Sequence, residues 1–194
     1  MNLFTTRGFN GKFMRPNSSL PIAGTVASTA FNRVLTEAKV STNGNIVTQG
    51  MSVVVSNKQG TQTASVNGGT SLAPNVLTAS YSADDANAFI VDNSNAVVLN
   101  GDTFPQVLDN QVVRVALIGS GAEIYLPCDN TVIGASDPIY WDIENQKLVS
   151  AIAKPAKGVL FTGVILSQVI DGIKGKISSG VVTTDNCSVV KVKL

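Results

Sequence analysis

The chain has 194 residues, of which 44% are hydrophobic and 14% charged, with a formal net charge of +1. Charge is scarcer than the roughly 25% of ordinary soluble proteins, and Lys and Arg are not clustered, so there is no general nucleic-acid footprint. There is no histidine, which removes Ser-His-Asp and Cys-His nucleophiles and every His-based zinc site.

Residues 1–20 read as an extended arm. Phe4, Phe9 and Phe13 are interleaved with Arg7, Lys12 and Arg15, and Gly8, Gly11 and Pro16 break any regular element. Burying one such ring is worth roughly 1.5–3 kcal/mol. The arm therefore either packs on its own domain or is ordered by a partner, for which Phe4, Arg7, Phe9, Phe13 and Arg15 are the candidate contacts. The start "MNLFTTRGFNGKF" has no apolar core of signal-peptide length. No window reaches the roughly 18 apolar residues of a membrane span. The expectation is a protein made and used without secretion.

Within 21–40, "TAFNRVLTEAKV" fits either a helix turn or a strand. From Val40 to Ala83 only Lys58 is charged, and Ser, Thr and Val alternate as in strands with one dry face. Asn43-Gly44, Gln59-Gly60 and Asn67-Gly68 are hairpin-turn signals, because Gly and Asn accept positive φ. "SADDANAF" (82–89) predicts a short helix capped by Ser82, with Asp84 and Asp85 in its first turn.

From Phe89 the β pattern resumes. Asn100-Gly101 marks a turn, "QVVRVALI" and "AEIYLP" flank Ser120-Gly121 as a hairpin, and "DPIYWDI" and "KLVSAIA" flank "ENQ". "GVLFTGVILSQVI" is apolar on both faces, which predicts a central or an interface strand. "SVVKVKL" alternates Val190, Val192 and Leu194 against Lys191 and Lys193, as a lysine-guarded outer strand does. Closely spaced short strands of this kind mean an all-β barrel or sandwich, with at most a short helix.

The candidate chemistry is thin. "LIGSGAEI" (117–124) begins like a dinucleotide loop, but Ile124 stands where the third glycine belongs and a strand follows instead of a helix. Gly175-Lys176 precedes Ile177 and not Ser or Thr, so it is no phosphate-binding loop. Asp129, Asp137 and Asp142 surround one β region but lack the alternate spacing of a calcium loop, and read better as turn residues. Tyr125, Tyr140 and Trp141 are candidates for a sugar-stacking platform, although consecutive Tyr140 and Trp141 face opposite sides of a strand. Cys128 and Cys187 match no metal spacing and read as small apolar core residues, with a disulfide left open. No catalytic, cofactor-binding or metal-ligating residues are assigned.

Four elements in order carry a likeness: a strand ending in the Gly turn, the return strand "AEIYL", the segment "GASDPIYWD" at 134–142, and "FTGVIL". Over about the C-terminal half, the chain resembles the barrel of phage capsid decoration proteins, also called structural cement proteins. The resemblance implies a non-enzymatic virion protein, made in the host cytoplasm and placed on the outer capsid surface. It implies the major capsid protein and further copies of itself, as a homotrimer, for partners, with no direct nucleic-acid or membrane contact. The organisation expected is an arm over 1–20, a polar β-rich segment over 21–87 and a C-terminal β-barrel over 88–194. A head-fibre or tail-associated virion protein and a carbohydrate-binding β module are the alternative readings.

Overall fold

A computed structural model describes residues 20–27, 35–58, 62–66, 69–72, 76–91, 96–132, 138–153 and 155–194. The arm residues Phe4, Arg7, Phe9, Phe13 and Arg15, and the turns Gln59-Gly60 and Asn67-Gly68, lie outside them. The strands of the first part are β1 (Leu35–Ser41), β2 (Val47–Thr48), β3 (Ser52–Lys58), β4 (Gln62–Val66), β5 (Gly69–Leu72), β6 (Val76–Ser80), β7 (Ala88–Val91), β8 (Gln106–Val107) and β9 (Val112–Leu117). Those of the second part are β10 (Glu123–Cys128), β11 (Ile139–Asp142), β12 (Lys147–Ser150), β13 (Gly158–Leu160), β14 (Val164–Ile165), β15 (Ile170–Ser178) and β16 (Val181–Lys193). The molecule is all-β, as the alternation of the sequence predicts. Its helical content among the described residues is two single 3-10 turns, Asn130–Val132 and Ala151–Ala153.

Five strands close a barrel in the order β1-β6-β3-β7-β9. Its pairings are antiparallel except β1 with β6, where Lys39 lies beside Thr78 in parallel. The barrel takes strands from both sides of residue 87, so 21–87 and 88–194 contribute to one closed sheet. Ala38, Val40, Val53, Ala88, Ile90, Val113 and Val115 fill its interior. A second sheet runs β13-β11-β12-β10-β16-β14, with β15 paired along the first part of β16. Its core gathers Ile124, Leu126, Trp141, Leu148, Val190 and Val192, together with Phe89 and Val91 of the barrel. Strand β7 thus sends Ala88 and Ile90 into one core and Phe89 and Val91 into the other. All four are buried, so β7 is apolar on both faces.

Four local expectations are corrected. No helix forms at 82–89. Ser82 Oγ does accept the amides of Asp84 and Asp85, both at 3.2 Å, but this cap closes a bend. The segment is drawn to β3 instead: the Asn87 amide donates to the Val53 carbonyl, and its side chain bonds both the amide and the carbonyl of Val55. "LIGSGAEI" is not a hairpin. β9 pairs with β1 and β7, whereas β10 pairs with β12 and β16, so the Gly119 and Gly121 turn (φ 89° and 79°) carries the chain from barrel to second sheet. There the Gly121 amide donates to the Leu194 carbonyl at 2.6 Å. "SVVKVKL" keeps its predicted alternation, with Val190, Val192 and Leu194 buried, but it is no outer strand: β10 flanks it on one edge and β14 on the other. Finally, "GVLFTGVILSQVI" is not one central strand. It is broken into β13, β14 and the start of β15, and much of it is exposed.

Three turns follow their residues. Asn43-Gly44 takes two positive φ values, 50° and 77°, after β1. The sequence "ENQK" closes the antiparallel β11–β12 hairpin. Ser179-Gly180, also positive at 50° and 79°, closes β15 onto β16, a hairpin that the apolar pattern alone does not reveal.

Candidate docking surface

Residues 160–170, which bend at Gly163 and Ser167, alternate in exposure. Phe161 is buried, and Ile165 and Val169 are half-buried against the second core. Gly163 also faces inward: a Cβ there would lie 2.5 Å from Phe161 Cζ and 2.6 Å from the Lys193 carbonyl oxygen, so no side chain fits. The opposite positions, Leu160, Thr162, Val164, Leu166, Gln168 and Ile170, are exposed. Four large apolar side chains of this stretch, Leu160, Val164, Leu166 and Ile170, are thereby left toward solvent, at 51%, 59%, 43% and 41% exposure. The second part of the stretch is held at the edge by β16, through Val164 beside Lys193, Ile165 beside Val192, and the Leu166 amide on the Lys191 carbonyl at 2.8 Å. These exposed apolar side chains make the stretch a candidate docking surface.

The other candidates are absorbed by the fold. Trp141 is 1% exposed and meets Phe89 edge to face, with centroids 4.7 Å apart. Tyr125 and Tyr140 are half-buried on β10 and β11, with β12 between these strands. The indole is therefore core, the inward member of the Tyr140–Trp141 pair, and is withdrawn from any sugar platform. Asp142 is buried and spends its carboxylate on a turn: Oδ1 accepts the amides of Glu144 and Asn145, and Oδ2 accepts the Asn145 side-chain amide. Asp129 pairs with Lys147 at 3.7 Å, and Asp137 lies outside the described residues. Among the described residues no three His, Cys, Asp or Glu side chains gather as a metal site. Gly175 of the "GK" pair is a packing residue, since a Cβ there would fall 2.7 Å from Phe104 Cδ1.

Both cysteines are free thiols. Burial pushes Cys128 up to about 12 and Cys187 up to about 11, so neither is a nucleophile near neutrality. A cleft of about 410 Å³ lies between the barrel and the β15–β16 hairpin; Tyr81, Glu144, Lys174, Lys176 and Asp185 are among its lining residues. Its charges are of both signs, with the Lys174 ammonium donating to the Asn145 carbonyl at 3.3 Å. No helix among the described residues is long and apolar enough to cross a membrane.

Leu160, Val164, Leu166 and Ile170 are the large apolar side chains of "GVLFTGVILSQVI" that the core leaves exposed. Comparisons with protein-family models, with curated proteins and with solved structures each found no match.

Proposed function

We propose that this chain is a non-catalytic structural protein that binds the outside of a phage capsid and stabilises the major capsid protein lattice. The observation that carries the reading is the outward row Leu160, Val164, Leu166 and Ile170. An apolar row on a well-braced sheet suits permanent adhesion to a protein surface. The scarcity of charge favours the same use, since weak self-repulsion allows copies to stand close together. The capsid as partner comes from the likeness of the C-terminal half to cement proteins. Phe4, Arg7, Phe9, Phe13 and Arg15 supply further contacts in this reading. A homotrimer would multiply modest contacts by avidity, because three linked copies engage a lattice together.

The test is binding of the purified chain to expanded empty shells made from the major capsid protein encoded alongside it. The expected result is saturable binding that Val164→Asp/Leu166→Asp weakens by about tenfold or more, the order of loss when a central anchor is removed. Saturation at unchanged affinity by that double variant, or no binding by the parent protein, would sink the reading.

A further inference from the structure

Two Asn-Gly pairs fall within the described residues, and their side chains are held differently. Asn43 is tied at both ends of its amide: Nδ2 donates to the Tyr81 carbonyl at 2.9 Å, and Oδ1 accepts the Ser41 hydroxyl at 3.0 Å. Asn100 is exposed, and its side chain has no hydrogen-bond partner among the described residues. It takes the second position of a turn that the Asp102 amide closes on the Leu99 carbonyl at 3.0 Å. Gly101 takes the third, at φ 94°. Nothing lies within 4 Å of a Cβ built on Gly101, so the pair is open to water.

Asp102, the last residue of this turn, ties it to the β15–β16 hairpin. Its Oδ1 accepts the Val182 amide at 2.9 Å, and its Oδ2 accepts the Gln106 side chain at 2.8 Å and the Leu99 amide at 3.3 Å. The Val182 carbonyl in turn accepts the amides of Thr103 and Phe104, at 2.9 and 3.3 Å. Residues 102–104 therefore bind the edge of β16 away from β15, and Phe104 is buried with Ile22, Ile173 and Val182.

We propose that Asn100-Gly101 is a site of spontaneous deamidation, and that its isoaspartyl product unfastens Asp102 from β16. The Gly101 nitrogen attacks Asn100 Cγ, the Cγ–Nδ2 bond breaks, and ammonia leaves with the Gly101 amide proton. Water then opens the five-membered succinimide, giving its hydroxyl to a carbonyl carbon and a proton to the Gly101 nitrogen. Cleavage of the new Cγ–N bond leaves aspartate. Cleavage of the original peptide bond leaves isoaspartate, with the main chain running through Cγ. Glycine favours the first step because it has no Cβ to crowd the attacking nitrogen. At Asn43 the same attack must first break two side-chain hydrogen bonds. Isoaspartate adds one carbon to the main chain between Leu99 and Asp102. That displaces a carboxylate whose bonds need Leu99, Gln106 and Val182 all in place. The inference stands whether or not the chain meets a capsid.

The test holds the purified full chain at pH 8 and follows the peptides carrying Asn100 and Asn43 by mass and by isoaspartyl methyltransferase labelling. The expected result is conversion at Asn100 about tenfold faster than at Asn43, the ratio set by breaking two hydrogen bonds. In the isoaspartyl fraction, hydrogen exchange at the Val182 amide should speed up about tenfold, as loss of local protection does. Asn100→Gln, whose longer side chain closes a ring less readily, should keep its Val182 protection through the same incubation. Freshly made Asn100→Asp carries the charge without the extra carbon and should exchange like the fresh parent protein. No conversion at Asn100, equal conversion at the two sites, or unchanged Val182 exchange in the isoaspartyl fraction would overturn the proposal. So would loss of protection in aged Asn100→Gln, which would place the damage elsewhere, or in fresh Asn100→Asp, which would assign it to charge.

Discussion

Gly24 and Gly50 meet backbone to backbone. Both lie in the left-handed region, at φ 78° and 85°. A Cβ on Gly24 would stand 2.5 Å from the Gly50 nitrogen and 2.6 Å from the Ile90 carbonyl oxygen, and one on Gly50 would stand 2.8 Å from Ala23 Cβ. The Gly50 amide donates to that same Ile90 carbonyl at 2.9 Å. Residues 20–27 are thereby pressed onto the barrel at β7, while they also bond the second sheet through the Gly24 and Ala27 amides on the Tyr125 and Glu123 carbonyls. One short connector ties the two sheets together.

Gly24→Ala should therefore be severely destabilising, by about 3 kcal/mol or more, because conformation and space are violated at once. Gly44→Ala is the control: its φ is also positive, at 77°, but nothing lies within 4 Å of the added Cβ. It should cost only about 1–2 kcal/mol. Urea midpoints with unchanged m-values would separate the two, and equal losses would refute the close-approach argument.

The outward row should be energetically idle in the isolated protein. Val164→Asp and Leu166→Asp should change stability by no more than about 0.5 kcal/mol, as exposed positions do. Phe161→Ala, between Leu160 and Thr162 but facing the core, should cost about 3–5 kcal/mol. Thermal melts of the three variants test the alternation residue by residue. A large loss from Leu166→Asp would mean that this side chain is inward.

Asp102 gives the fold an acid-sensitive clasp. Burial pushes its carboxyl up. The hydrogen bonds from the Val182 amide, the Gln106 side chain and the Leu99 amide outweigh this and hold it below the usual 3.8. A depressed carboxylate contributes stability above its unfolded value, and that stability is lost as pH falls through the folded one. Asp102→Asn should lower stability at pH 7, with the gap to the parent protein closing as the pH drops below about 3.8. Denaturant curves from pH 7 to pH 2 would show it; a gap independent of pH would refute the clasp.

The two thiols act at the other end of the scale. Both are raised by burial, Cys128 to about 12 and Cys187 to about 11, from an ordinary 9.0. The contribution is fully present below pH 9 and is lost as pH rises toward 11 and 12, since unfolding frees the thiolates. Alkylation at pH 8 should be slow at both sites in the native protein, with half-buried Cys187 reacting before buried Cys128, and rapid at both in urea. Rapid native labelling of Cys128 would contradict its placement between β12 and β16.

Much of this architecture is legible in residue order, because period-two patterns report a local fact: which side of a strand is dry. Val190, Val192 and Leu194 alternate in the sequence and are buried in the fold. Partner choice is not local. Nothing between Leu117 and Glu123 distinguishes a hairpin from a passage between sheets, since that depends on whether β10 finds β9 or β16. The helix expected at 82–89 fails for the same reason. Ser82 caps as its chemistry directs, but Asn87 has a distant strand to bond. The apolar run at 158–170 suggested an interface without showing its face, because alternation is invisible where both sides of a strand are hydrophobic. The clash at Gly163 and the register with β16, which sets Ile165 beside buried Val192, tell outward Val164 from inward Ile165.

The central place of β16 also sets an order of events. It lies between β10 and the β14–β15 edge, yet it follows all of them in the chain. The last strand of the barrel ends at Leu117, so that half can close on the ribosome. Glu123 must wait for Lys193, its partner across the sheet. Until then Ile124 and Leu126 lack Val192 and Val190, their neighbours on β16. Late pairing of distant segments is slow and leaves sticky surface open. The second sheet is therefore where a nascent chain of this protein would first be expected to need a chaperone.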